Sequence, residues 1–260
     1  MLKILKYSFY DLMRSRWSYV YFMFYLLLGF VLLFLNNDVD KAIITLMNVI
    51  IVLTPLIGTI FGVMYYYDSK EFTELLLALP INRRKIFMGQ YLGISISLTL
   101  SLLLGLGIPF VLYGIFKSAA IFNFSLLLVV GTFLNFIFVA LSYNIALSTE
   151  NKIKGFGYAI LMWLFLAVIY DGIFLISLLV FNSYPLDKFS LMATMFNPID
   201  LSRILILLKL DISALLGYTG AVFRKFFGTN FGMLISMGVL VLWVVLPVLR
   251  MNLKLRKKDF

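Results

Sequence analysis

The stretch Tyr67–Gly89, YDSKEFTELLLALPINRRKIFMG, is a charged interruption between two long apolar runs, Ala42–Tyr66 and Ile86–Phe116. A helix needs ~20 predominantly apolar residues to cross the hydrocarbon core of a bilayer, and both runs reach that length. Within the interruption, Asp68 and Glu71 read as a capping box, in which an N-cap acid bonds the third amide and a second acid reaches back. Both acids also suit the positive end of a helix dipole. Phe72, Leu75, Leu76 and Leu79 make a stripe, and Pro80 stops the helix. Asn82 can cap the helix that follows, with Arg83, Arg84 and Lys85 held at the membrane phosphates. Two readings are open: a surface helix anchored by snorkelling cations, or a short rigid helix that takes force from a moving partner.

Working outward, four further runs are long enough to span: Trp17–Leu35, Ala120–Leu147, Phe156–Phe181 and Phe231–Val248. The 260 residues are 63% hydrophobic and 13% charged, with a mean hydropathy of +1.03. Soluble domains hold roughly 45–50% apolar and about 25% charged residues. No hydrophilic block is large enough to form a soluble domain. Residues 1–260 therefore read as one all-α membrane domain with six spans. The net charge of +10 does not point to nucleic acid, because the basic residues sit at span ends. With the N-terminus inside, fifteen of the 22 Lys and Arg fall on the cytoplasmic side, in line with the positive-inside rule. The expected topology is N-in, C-in. Without cysteine there is no disulfide and no thiolate chemistry, and histidine is absent too. Met1–Trp17 is too polar for a signal-peptide core, so insertion is expected to rely on the first span.

Residues 1–16 read as an amphipathic helix on the membrane surface, with Leu2, Leu5, Phe9, Leu12 and Met13 opposite Lys3, Lys6, Tyr7, Asp11 and Arg14. Pro55 is expected to kink the second span. Gly58/Gly62, Gly89/Gly93 and Gly228/Gly232 have the spacing that lets helix backbones approach closely, and packing within the chain is favoured over a dimer seam. Residues 182–230 form the longest connection. There Asn197-Pro198-Ile199-Asp200 reads as a helix start: Asn as N-cap, Pro at the first position and an acid in the first turn. Ile204–Leu208 is too short to span, and Asp211–Phe227 carries turn signals at Gly217 and Gly220 before Arg224-Lys225. The region reads as one or two short helices dipping into, or lying on, the outer face.

Asp171 is the only acid well inside a span, and an intramembrane ionisable residue is a functional candidate by default. No basic residue inside a span offers it a partner, so a structural hydrogen bond, to Tyr170 or an outer-loop group, is the plainer reading. Soft Cu(I) prefers thiolate or thioether ligands. Only methionines remain here, with Met192/Met195 and Met233/Met237 at plausible spacing. Gap-filling in apolar packing is the favoured account of them, and no metal site is expected.

The pattern across Glu71–Lys85, an acid, a leucine-rich helix, Pro80 and basic residues before the third span, resembles the coupling segment of type-2 ABC exporter permeases. The interfacial first helix, six spans and long outer segment before the last span are similar to that family. A narrower resemblance lies in Tyr170-Asp171-Gly172, in Asn197–Arg203 and through Ala214–Phe227, which look like the permease of the nitrous-oxide-reductase maturation system. The resemblance implies ATPase coupling through Asp68, Glu71, Glu74, Pro80, Arg83 and Arg84. It implies pathway or outer-face roles for Asp171, Asn197, Pro198, Asp200 and Arg203. Also implied are a cytoplasmic ABC ATPase, a second copy of the chain, a periplasmic accessory protein and a place in the bacterial inner membrane. The chain lacks the G-x-x-x-x-G-K-[ST] loop that holds nucleotide phosphates. ATP and Mg²⁺ would then be bound by the ATPase, with no cofactor and no catalytic residue on this chain. The alternatives are an ion- or proton-coupled carrier using Asp171, an integral-membrane enzyme acting on lipids, and an ABC exporter of an unrelated small molecule or lipid.

Overall fold

A computed structural model describes residues 1–36, 39–118, 120–181, 186–209 and 229–257. The expected turns and basic pair within Asp211–Phe227 lie outside the described residues, as does Gly228. Helices follow in the order α1 (Leu2–Arg14), α2 (Arg16–Leu35), α3 (Val39–Asp68), α4 (Lys70–Leu77), α5 (Arg83–Leu112) and α6 (Ile121–Ala146). Next come α7 (Lys152–Leu164), a π turn (Phe165–Ile169), α8 (Tyr170–Val180), α9 (Asp187–Met195), α10 (Pro198–Lys209) and α11 (Asn230–Lys257). No strand occurs among the described residues. Six helices are long and apolar enough to cross a membrane: α2, α3, α5, α6, the continuous α7–α8, and α11. Each coincides with one of the six apolar runs.

The centre of the bundle is α3 on α6, with α5 bridging to α2 and α1. Ile43, Leu46, Ile50, Leu98, Leu102, Leu127, Leu134 and Phe138 are fully buried there. The glycine pairs set these spacings. A Cβ on Gly93 would lie 2.8 Å from Ser8 Cβ and 3.0 Å from the Leu5 carbonyl oxygen, so only a bare backbone lets α1 sit this close to α5. Gly62 of α3 faces Ser142 and Val139 of α6 in the same way, while a Cβ on Gly58 would make only ordinary contacts at 3.6 Å with Asn135, Phe138 and Val139. These two pairs pack within the chain, as expected.

That groove also sets which face of α1 turns inward. The side chains it buries are Ile4, Ser8 and Leu12, while Leu2 of the expected stripe is exposed. A lipid-facing stripe would follow hydrophobicity alone. A helix laid against Gly89 and Gly93 instead turns in the small residue that fits between them.

One end of the bundle gathers α1, α4, the α6–α7 turn and the last turns of α11. Tyr7 stacks on Phe72 at 4.5 Å between ring centroids, and Tyr67 Oη donates to the Thr149 carbonyl at 2.8 Å. Lys254 Nζ donates to the Asn144 carbonyl at 2.9 Å. From the other end, α9 and α10 enter as a hairpin bent by 115° at Asn197. Ile199, Leu201, Leu205 and Ile206 of α10 are buried, with α10 packed on α3 and α6. The short helices before the last span thus dip into the bundle, and their apolar content is explained by what they cover.

Candidate functional site

The α4 helix is held on its inner side and open on its outer side. Thr73 is buried, and Gln90 Nε2 of α5 donates to its Oγ1 at 2.8 Å. Thr73 Oγ1 in turn donates to the Ser69 carbonyl at 2.8 Å. Asp68 does not cap α4. It is the last residue of α3, Ser69 takes the N-cap position without a side-chain bond, and the expected capping box does not form. The physical reason is that α3 continues through Asp68, and Lys152 at the start of α7 claims its carboxylate at 2.7 Å. That pair is half-exposed, so it contributes at most ~1 kcal/mol. It nevertheless fixes which turn lies beside α4.

On the open side stand Glu71, Glu74, Leu75, Leu79 and Pro80. Lys70 and Glu74 approach to 3.9 Å. The helix ends at Leu77, before Pro80, so the four-residue stripe divides: Phe72 and Leu76 are partly buried, while Leu75 and Leu79 are 70% and 52% exposed. Asn82 caps α5 as expected, its Oδ1 accepting from the Arg84 amide at 3.0 Å. Arg83 is exposed and Arg84 half-buried in that first turn. Two exposed leucines beside two acids, with the basic turn of α5 next to them, form a face suited to another protein.

The second group surrounds the hairpin tip. Asn197 is fully buried and caps α10, accepting from the Ile199 amide at 3.1 Å. Its Nδ2 donates to Asp200 Oδ2 and to the Leu166 carbonyl, each at 2.8 Å. Leu166 lies in the π turn, where widened helical bonding frees carbonyls for outside donors. Arg203 Nη1 donates to Asp171 Oδ2 at 2.7 Å and lies 3.5 Å from Asp200 Oδ1. Asp171 is therefore not isolated. Its partner is Arg203 of α10, a group of the connection before the last span, where a hydrogen-bond partner for Asp171 was expected. Tyr170 Oη donates to the Ala193 carbonyl at 2.6 Å, and Trp243 Nε1 of α11 donates to the Met195 carbonyl at 3.1 Å. Pro198 is buried in the first turn of α10.

The two clusters perform different chemistry. The first is an exposed apolar and acidic face, and the second a pair of carboxylates sharing one guanidinium, which ties α8 to α10. Among the described residues, no group of His, Cys, Asp or Glu could hold a metal ion. Met192 lines a cleft with Tyr170 and Phe174, and Met195 one with Trp243 and Arg250. Gln90, Thr73, Lys152, the Leu166 carbonyl and Trp243 went unnoticed in the sequence. Gln90, an amide within an apolar run, is the one that carried a visible signal.

The sequence profile of the family described as "ABC-2 family transporter protein" matches residues 4–216. The chain is 25% identical over 254 residues to the probable ABC transporter permease protein NosY of Stutzerimonas stutzeri, covering 92% of this chain and 85% of that one. A protein of the same name from Pseudomonas aeruginosa is 25% identical over 189 residues, covering 68% and 67% of the two chains. The matched region holds α1, α4, Asp171 and the hairpin tip. With six helices able to cross a bilayer, this multi-pass membrane protein belongs to the ABC-2 transporter family.

Proposed function

We propose that this chain is the permease subunit through which a separate ATPase does work across the bacterial inner membrane. The observation that carries the reading is the two-sidedness of α4: buried Thr73 is bonded to Gln90, while Glu71, Leu75 and Leu79 face outward. A nucleotide-binding subunit docks on that face from the cytoplasm, which makes the topology N-in, C-in and α4 the coupling helix. ATP and Mg²⁺ belong to that subunit, and this chain contributes no catalytic residue. Asp68, Glu71, Glu74, Pro80, Arg83 and Arg84 make or support the contact. Displacement of α4 passes to α5 through Gln90, and to α7 through the Asp68–Lys152 pair. The π turn above α7 carries it to the hairpin, which is bonded there at the Leu166 carbonyl and Asp171.

Two copies of the chain frame one pathway, and the outer surface around α9 and α10 receives a periplasmic accessory protein. The likeness of Tyr170-Asp171-Gly172 and Asn197–Arg203 to the nitrous-oxide-reductase maturation permease supports a role in assembling that enzyme's copper site. The 25% identity to the two NosY proteins points the same way. An ion-coupled carrier built on Asp171 has less support, because Arg203 already engages its carboxylate.

Co-purification tests the assembly: in mild detergent the chain brings down a phosphate-loop ATPase. Glu71→Ala and Arg83→Ala are expected to uncouple ATP hydrolysis from transport or maturation while the permease stays in the membrane at its usual level. Full coupling in both variants sinks the role given to α4.

A further inference from the structure

We propose that a cleft between α6, α11 and the hairpin tip holds one acyl chain of an anionic phospholipid, with its phosphate on Arg250. The cleft has a volume of about 500 Å³, within the range of pockets that bury a ligand. Leu141, Phe196, Val239, Trp243 and Leu246 line it, and the one cation in its lining is Arg250. From Val239 to Arg250 the rise of α11 is ~16 Å, about half of the ~30 Å hydrocarbon core. The length is that of a single leaflet, and the cation stands at the end that shares its level with α4.

The walls are built in place. Asn144 Nδ2 donates to the Pro247 carbonyl at 2.7 Å, tying α11 to α6. The Trp243 bond to the Met195 carbonyl ties α11 to the end of α9. Arg250 is exposed and makes no ion pair among the described residues, and a guanidinium matches phosphate oxygens two at a time. A lipid chain is thin enough, and a phosphodiester supplies the charge Arg250 lacks. The lipid would brace the hairpin from below.

The test uses the full chain with Trp17→Phe and Trp163→Phe, which leaves Trp243 as its one indole. The protein is reconstituted in vesicles containing brominated-chain phosphatidylglycerol or brominated-chain phosphatidylcholine. Phosphatidylglycerol is expected to quench Trp243 at about fivefold lower mole fraction, the preference that one basic residue gives an anionic lipid. Arg250→Gln is expected to abolish that preference. Equal quenching by the two lipids, no quenching by either, or a preference that survives Arg250→Gln each overturns the proposal. Mass spectrometry of the unmodified chain gives an independent reading. Anionic phospholipid retained through delipidation, and lost from Arg250→Gln alone, supports the site; equal retention by both refutes it.

Discussion

Asn197 commits its whole side chain at once: one oxygen to the Ile199 amide, one nitrogen to Asp200 and the Leu166 carbonyl. Losing a cap costs ~1 kcal/mol, and each buried group left without a partner a further ~1–3 kcal/mol. Asn197→Ala should therefore destabilise the protein by at least about 3 kcal/mol, read as a lowered Tm in detergent. Asn197→Asp keeps the capping oxygen but turns it toward two acceptors, Asp200 and the Leu166 carbonyl. It is expected to be at least as damaging as Ala. A mild Asp variant would mean that the cap matters and the bonds to Leu166 and Asp200 do not.

Between helices, close approach decides more than hydrophobicity does. A side chain at Gly93 meets Ser8 and the backbone of Leu5 and Phe9, whereas a Cβ at Gly107, on the same helix, meets nothing within 4 Å. Gly93→Val is expected to push α1 off α5, lowering the Tm and opening α1 to protease. Gly107→Ala should be neutral or slightly stabilising, because Ala is favoured over Gly inside a helix by ~1 kcal/mol. Equal effects would mean α1 is held by the membrane rather than by α5. The same contrast accounts for the misread faces of α1 and α4. Periodicity places residues on a stripe, but a neighbouring helix chooses which stripe it covers, and Thr73 was chosen because Gln90 is there to meet it.

For the molecule as a whole, the topology can be checked directly because the chain has no cysteine of its own. Lys70→Cys and Asn151→Cys should react with a membrane-impermeant maleimide only from the cytoplasmic side, and Lys188→Cys only from the opposite side; all three positions are exposed. Labelling of Lys70→Cys from outside would reverse the orientation and remove α4 from the reach of an ATPase.

Six spans, the caps at Asn82 and Asn197, and the short helices before the last span were all legible in the chain. Each depends on hydropathy or on groups within a few residues, which sequence order displays. That Asp171 bonds a group of the connection before the last span was legible too, but not that the group is Arg203, 32 residues away, nor that Asp68 meets Lys152, 84 residues away. Nor was the π turn, where a widened helical turn is held against the Asn197 amide. A charge in a bilayer must find a counter-charge somewhere, and the amino-acid order shows the need without showing where it is met. Only the packing of the α9–α10 hairpin against α8 and α11 brings Arg203 to Asp171.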